Sequence, residues 1–221
     1  MITLVLEAAT YAGSVALLDA DRVVAERSVA MRGREHEALM PAVAEVLAEA
    51  HQAVTEVERI VCGAGPGSFT SLRIAGGIAK GLALAGGIPL VPVSSLALLV
   101  ASRDGLKPGP YLGAIDALRG EHYVARFEVS KDGELTEAAG FTLVPTAELA
   151  DFARRVGAEL VAAGATSAGE VAPQARAAAR LSTLIDATPA ADLAAWEPAY
   201  GRLAEAQVKW EAAHGRPLAS A

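Results

Sequence analysis

Apolar and polar positions alternate along this chain in two rhythms, and the switches between them mark its elements. The runs ITLVLEA, SVALLD and RVVAERSV open the sequence, separated by turns at Tyr11-Ala12-Gly13 and Asp19-Ala20-Asp21. They predict three successive short strands. From about Glu35 to His51 the rhythm changes: Leu39, Val43, Val46, Leu47 and Ala50 follow a 3.6-residue period, which predicts a helix. Pro41 lies inside that pattern, so the helix starts late or kinks there. RIVCGA then reads as a buried strand.

The next segment, GAGPGSFTSLR, is a Gly-rich turn running into a helix over Phe69 to Ala85. That helix contains Gly76, Gly77 and Gly81, and each glycine costs about 1 kcal/mol relative to alanine in an exposed helix interior. Gly77, Gly81 and Ala85 form one smooth stripe that lets a neighbour approach closely, the steric half of small-xxx-small packing. Arg73 and Lys80 share a face. Gly81 to Ser102 carries no charge, but Gly86-Gly87, Pro89 and Pro92 break it. It predicts a helix end, a short strand IPLVPV and a new helix capped by Ser94 or Ser95, with no membrane span.

After Asp104 the pattern restarts. Lys107-Pro108-Gly109-Pro110 reads as a linker, and YLGAIDA is a strand ending at Asp116. A turn at Leu118-Arg119-Gly120, the alternating run HYVARFEV and a turn at Lys131-Asp132-Gly133 follow. Both halves therefore begin with an apolar strand, an acid near its end and a hairpin, a weak internal repeat. A β-β-β-α-β-α half used twice is the plan of the α/β actin-like, sugar-kinase-like (RNase H-like) folds, here with a reduced second half. The expected subdomains are 1–104 and 105–221. TAELADFARR and PQARAAARLSTL read as helices around the strand AELVAAGA. A final helix over about 202–214, with Glu205 and Lys209 as an i,i+4 ion pair, is expected to pack back on the first half.

Composition narrows the function classes. The 221 residues are 52% hydrophobic and 20% charged, with a net charge of −7, so the chain is globular and unsuited to holding nucleic acid by itself. The single cysteine, Cys62, reads as a buried strand thiol and fits a reducing cytoplasm. The first basic residue is Arg22, so no basic leader region is visible.

Candidate chemistry centres on the loop. Gly65, Gly67 and Ser68 could cradle an anion or nucleotide at a helix N-terminus. No Walker-type GK[ST] follows, however, and Ser68 or Thr70 could simply cap the helix. The preferred reading is a structural turn beside a partner surface. His36 reads as a solvated surface residue and Asp116 as a strand-end cap. His36, His51, His122 and His214 include no i,i+4 pair.

Gly65-Pro66-Gly67-Ser68-Phe69-Thr70, Leu72-Arg73-Ile74 and Ala79-Lys80-Gly81-Leu82-Ala83 resemble the bacterial TsaB (YeaZ) family. AIDALRGEHYVARF and Tyr200, Arg202, Leu203, Ala204 and Glu205 extend the resemblance over nearly the whole chain. The family's usual loop is GPGSFTGLR, where this chain has Ser71. Its first strand usually ends in DTST, where this chain has Glu7-Ala8-Ala9-Thr10.

The resemblance implies a non-catalytic accessory subunit for threonylcarbamoyl transfer to adenosine 37 of tRNA (t6A). Its partners would be a TsaD-type catalytic subunit and a TsaE-type ATPase, with tRNA reached through the complex and a homodimer formed when alone. No intrinsic cofactor or metal is expected, and ATP only in the complex. The sister TsaD-type subunit carries two metal-binding histidines where this chain has Ser95 and Leu99, neither of which offers an imidazole. The expected partner interface is Phe69, Thr70, Arg73, Gly76, Gly77, Lys80 and Gly81, with Leu39 and Val43 from the preceding helix. The rival readings are a small ATP-dependent phosphotransferase of the same fold and a metallopeptidase.

Overall fold

The structure is a computed structural model, and it describes residues 1–33, 36–166, 169–201 and 213–215. The first half forms a five-stranded sheet in the order β3-β2-β1-β4-β5. Strands β1 (Ile2–Glu7), β2 (Ala12–Asp19) and β3 (Arg22–Ala30) are an antiparallel meander, and β4 (Arg59–Gly63) and β5 (Leu90–Val93) continue parallel to β1. Helices α1 (Leu39–Glu49) and α2 (Phe69–Gly86) are the crossovers that parallel pairing requires. α1 begins four residues later than its period suggested, with Pro41 in the first turn. Glu37 supplies the cap there, its carboxylate accepting from the N–H groups of Leu39 and Met40.

The second half repeats this plan in reduced form. Strands β6 (Gly109–Asp116) and β7 (Glu121–Val129) make a hairpin. Both β8 (Leu135–Glu137) and β9 (Thr142–Pro145) pair with β7, and β10 (Glu159–Ala162) runs parallel to β6. The order β10-β6-β7-β8 thus copies β4-β1-β2-β3. The hairpin turn is tight: Leu118, Arg119 and Gly120 all have positive φ, and Asp116 accepts from the Leu118 N–H at 2.7 Å, the strand-end cap its position suggested. Gly109 and Pro110 belong to β6, so the linker is shorter than expected.

Burial sorts these elements into layers. Leu4, Leu6, Val15, Leu17 and Ile60 face α1 and α2, meeting Leu39, Val43, Val46, Ala75 and Ala79. The opposite face, with Val5, Ala16, Leu18 and Val61, packs on the segment Ala175–Arg180 and shares one buried cluster with α3 (Ser95–Ala101). All seven residues of α3 are buried, and it packs on the second sheet and on Ala175–Arg180. Ser94 caps it, accepting from the Ala97 N–H at 3.4 Å. On the outer face of the second sheet, Leu112, Ala114 and Val124 pack on α4 (Leu149–Arg155).

The stretch expected as one helix around PQARAAARLSTL is instead a 3-10 run over Ala175–Arg180 followed by α5 (Ser182–Ala187). Its start is pinned by contacts to other elements. The Ala175 N–H donates to Ser14 Oγ at 2.8 Å and the Gln174 N–H to Ser102 Oγ at 3.0 Å. Arg180 in turn donates to the carbonyls of Ala101 and Arg103, at the end of α3.

From Ala191 to Gly201 the chain returns across the first sheet as a strap. The Ala191 N–H donates to the Leu90 carbonyl at 2.8 Å and the Ala199 N–H to the Ala64 carbonyl at 2.7 Å. The helix expected over 202–214, with Glu205 and Lys209, lies outside the described residues except for Ala213 and His214. Among the described residues no helix is long and apolar enough to cross a membrane.

Candidate functional site

The Gly-rich loop joins the end of β4 to α2 and is held on three sides. The Ser68 N–H donates to the Ala9 carbonyl at 2.7 Å. The Gly65 N–H donates to Ser95 Oγ at 3.1 Å, and the Ser95 N–H returns to the Gly65 carbonyl at 2.9 Å. A Cβ on Gly67 would lie 2.2 Å from the Ala9 carbonyl oxygen, and one on Gly65 2.4 Å from that of Ala199. Gly65 also has φ +85°. These glycines are needed for backbone-to-backbone approach, which is the structural-turn reading. Two loop amides of the candidate anion cradle, those of Gly65 and Ser68, are already spent inside the chain. Ser68 is the N-cap of α2, but its hydroxyl makes no cap bond to the backbone and instead lies 3.0 Å from Ser71 Oγ. That contact gives buried Ser71, the residue in place of the family's usual glycine, a polar partner.

Beneath the loop lies Glu7, fully buried at the end of β1. Its Oε2 accepts from Ser95 Oγ at 2.8 Å and its Oε1 from the Ala9 N–H at 2.5 Å. Burial pushes its carboxyl up to about 7, against the pull of these hydrogen bonds. Ser95 and Leu99 are both fully buried, and Ser95 serves as a hydroxyl link between an acid and the loop. Among the described residues no three His, Cys, Asp or Glu side chains gather as metal ligands. Cys62 is buried and free, as its surroundings suggested.

A cleft of about 1140 Å³ opens between the two sheets, lined by Thr10, Tyr11, Ser68, Thr70, Asp116 and Arg119 among others. The loop forms one wall and the β6–β7 turn another.

The outer surface of α2 divides the expected interface residues into two groups. Thr70, Arg73, Gly77 and Gly81 are exposed along one stripe, which Leu84 continues at 76% exposure. A Cβ on Gly77 or Gly81 would meet nothing within 4 Å among the described residues. Gly76, Lys80 and Phe69 instead contact the strap. Gly76 is buried, and a Cβ there would sit 3.1 Å from Pro198 Cγ. Lys80 Nζ donates to the Trp196 carbonyl at 2.8 Å. Phe69 packs its ring 4.5 Å from that of Tyr200, with the Arg73 guanidinium 5.2 Å from the Phe69 centroid.

Leu39 and Val43 correct the expectation outright. They are 0% and 1% exposed beneath the first sheet, so in this structure they are core residues and offer no surface to a partner. Their periodic spacing was the signal of a core-facing helix side. Sequence reasoning missed Leu84, Trp196 and Pro198, and it offered Ser95 only as an alternative cap of α3, a place that Ser94 takes. Leu84 could have been found from its place three residues after Gly81. The strap residues carry no local signal of where they dock.

A family model described as TsaD, tRNA N6-adenosine threonylcarbamoyltransferase, matches residues 30–209. The chain is 38% identical over 145 residues to the tRNA threonylcarbamoyladenosine biosynthesis protein TsaB of Escherichia coli, a match spanning 62% of each protein. It is 29% identical to the Bacillus subtilis protein of that name, over 95% of this chain and 98% of that one. Among solved structures, YeaZ from Pseudomonas aeruginosa superposes with a TM-score of 0.72 at 27% identity, covering 90% of this chain and 99% of that one. A second P. aeruginosa structure, described as an uncharacterized protein with similarity to peptidase YEAZ, gives 0.74 at 26% identity, covering 91% and 99%. Loop, repeated half and relatives agree: the chain belongs to the TsaB (YeaZ) family.

Proposed function

We propose that this chain is a non-catalytic accessory subunit for threonylcarbamoyl transfer to adenosine 37 of tRNA, holding a TsaD-type catalytic subunit in its active form. The observation that carries this reading is the outer stripe of α2. Gly77 and Gly81 stand in a helix interior with open space where a side chain would fit, each at a cost of about 1 kcal/mol. Among the described residues nothing offsets that cost. A neighbouring helix laid along Thr70, Arg73, Gly77, Gly81 and Leu84 would do so and would cover Leu84.

The names of the E. coli and B. subtilis relatives tie those proteins to tRNA threonylcarbamoyladenosine biosynthesis, and the matching family model is that of the transferase. Both support a TsaD-type partner. The mechanism is a shift of the partner's conformational population by a surface that binds one state better. A TsaE-type ATPase joins the assembly in the cytoplasm, ATP is used only there, and tRNA is reached through it. A homodimer on the same stripe forms when the partner is absent, since isologous pairing needs one self-complementary patch.

Size-exclusion chromatography of this chain mixed with a TsaD-type subunit tests the reading. The wild type co-elutes with the partner, whereas Gly77→Glu elutes alone with an unchanged circular dichroism spectrum. Co-elution of a folded Gly77→Glu variant would place the interface elsewhere.

A further inference from the structure

Glu7, Ser95 and Gly65 form a hydrogen-bonded chain inside the protein, and its directions are fixed by chemistry. The Gly65 N–H can only donate, and it donates to Ser95 Oγ. The Ser95 hydroxyl therefore turns its own proton to Glu7 Oε2. The other carboxylate oxygen accepts from the Ala9 N–H. Every donor has an acceptor when Glu7 is ionised. Adding a proton to the carboxyl introduces one more donor into a closed space. Either the Glu7 or the Ser95 hydroxyl proton is then left without an acceptor, at a cost felt by both groups.

Slack is limited around this chain. Gly63 backs the carboxylate so closely that a Cβ there would lie 1.8 Å from Glu7 Oε2. Gly65 is bonded to Ser95 in both directions, and its neighbour Ala64 accepts from the Ala199 N–H. A shift of Ser95 or Gly65 is therefore passed directly to the strap, which covers Gly76 and holds Lys80.

We propose that Glu7 and Ser95 act as a protonation-dependent latch on the Gly-rich loop, and through Ala64 and Ala199 on the strap beside the outer stripe of α2. Opposed forces poise the latch: burial favours the neutral acid, and the hydrogen bonds favour the carboxylate. The groups around Glu7 do not compete for its proton. From β4 comes the Cys62 thiol, which burial holds neutral; from β2, Ser14 is the register partner; from α3, Ser95. The device stands on contacts within this chain and does not depend on the accessory-subunit reading.

NMR on the isotope-labelled full chain, titrated from roughly pH 5 to 9 across the range where a buried acid moves, tests it without any variant. The Glu7 carboxyl carbon and the Gly65 and Ala199 amides should move together, with one midpoint near neutrality. In Ser95→Ala the Glu7 midpoint should rise, and the two amides should no longer follow it. Still amides while Glu7 titrates would overturn the latch. So would a Glu7 midpoint below about 5, the range of an ordinary carboxyl.

Discussion

Lys80 Nζ donates to the main-chain carbonyl of Trp196 at 2.8 Å, so the middle of α2 is bonded to the C-terminal strap across 116 residues of sequence. The bond separates two surfaces on one helix. On one side the strap covers Gly76; on the other, Gly77 and Gly81 are open. Lys80→Met should therefore loosen the strap at a cost of about 1.5–2 kcal/mol, the lower part of the range for a hydrogen bond with one charged partner. Urea unfolding checks the cost, and tryptophan fluorescence should report the loosened strap.

The adjacent glycines should respond oppositely to added side chains. Gly77→Ala and Gly81→Ala meet open space, so each should stabilise the isolated chain by about 0.5–1 kcal/mol through helix propensity. Gly67→Ala would drive a Cβ into the Ala9 carbonyl and should lower the melting temperature. Calorimetry of the three variants checks the order.

Leu39 and Leu84 separate core from surface. Leu39 is fully buried, and Leu39→Ala should cost about 3 kcal/mol. Leu84 is 76% exposed, and Leu84→Glu should change stability by less than about 0.5 kcal/mol while weakening partner binding. Urea midpoints and a pull-down with the TsaD-type subunit read both effects.

Glu7 gives stability a pH dependence of unusual sign for a carboxylate. Its folded value, about 7, lies above the ordinary 4.5. Between those values the folded chain holds a proton that the unfolded chain has released. Stability from this group is therefore full below about pH 4.5, falls as pH rises toward 7, and is flat beyond. The total is on the order of 3 kcal/mol at 1.36 kcal/mol per unit. Glu7→Gln should remove that slope in urea unfolding series run across the window.

Much of the fold could be read in the sequence because its signals are local. Ser94 capping α3, the turn at Leu118–Gly120 and the strand-hairpin opening of each half all depend on neighbouring residues. What escaped depends on contacts distant in sequence. The strap is an Ala- and Pro-rich stretch held by backbone bonds to Leu90 and Ala64, which no periodicity encodes. The run at Ala175–Arg180 has helical composition, yet its first amides are claimed by Ser14 and Ser102. Glu7 was legible as an acid near the end of the first strand, and only the packing of β4 and α3 shows it sealed beneath the loop. Leu39 and Val43 were legible as a helix face, but which partner that face meets was decided by the chain's own sheet.

The most direct measurement is a reconstituted modification assay. A TsaD-type subunit, a TsaE-type ATPase, ATP, threonylcarbamoyl-adenylate and unmodified tRNA are combined with and without this chain. Modified adenosine should accumulate only when the chain is present; the chain alone should yield none, and Gly77→Glu should fail to restore it. Modification proceeding equally without the chain would contradict the accessory-subunit role.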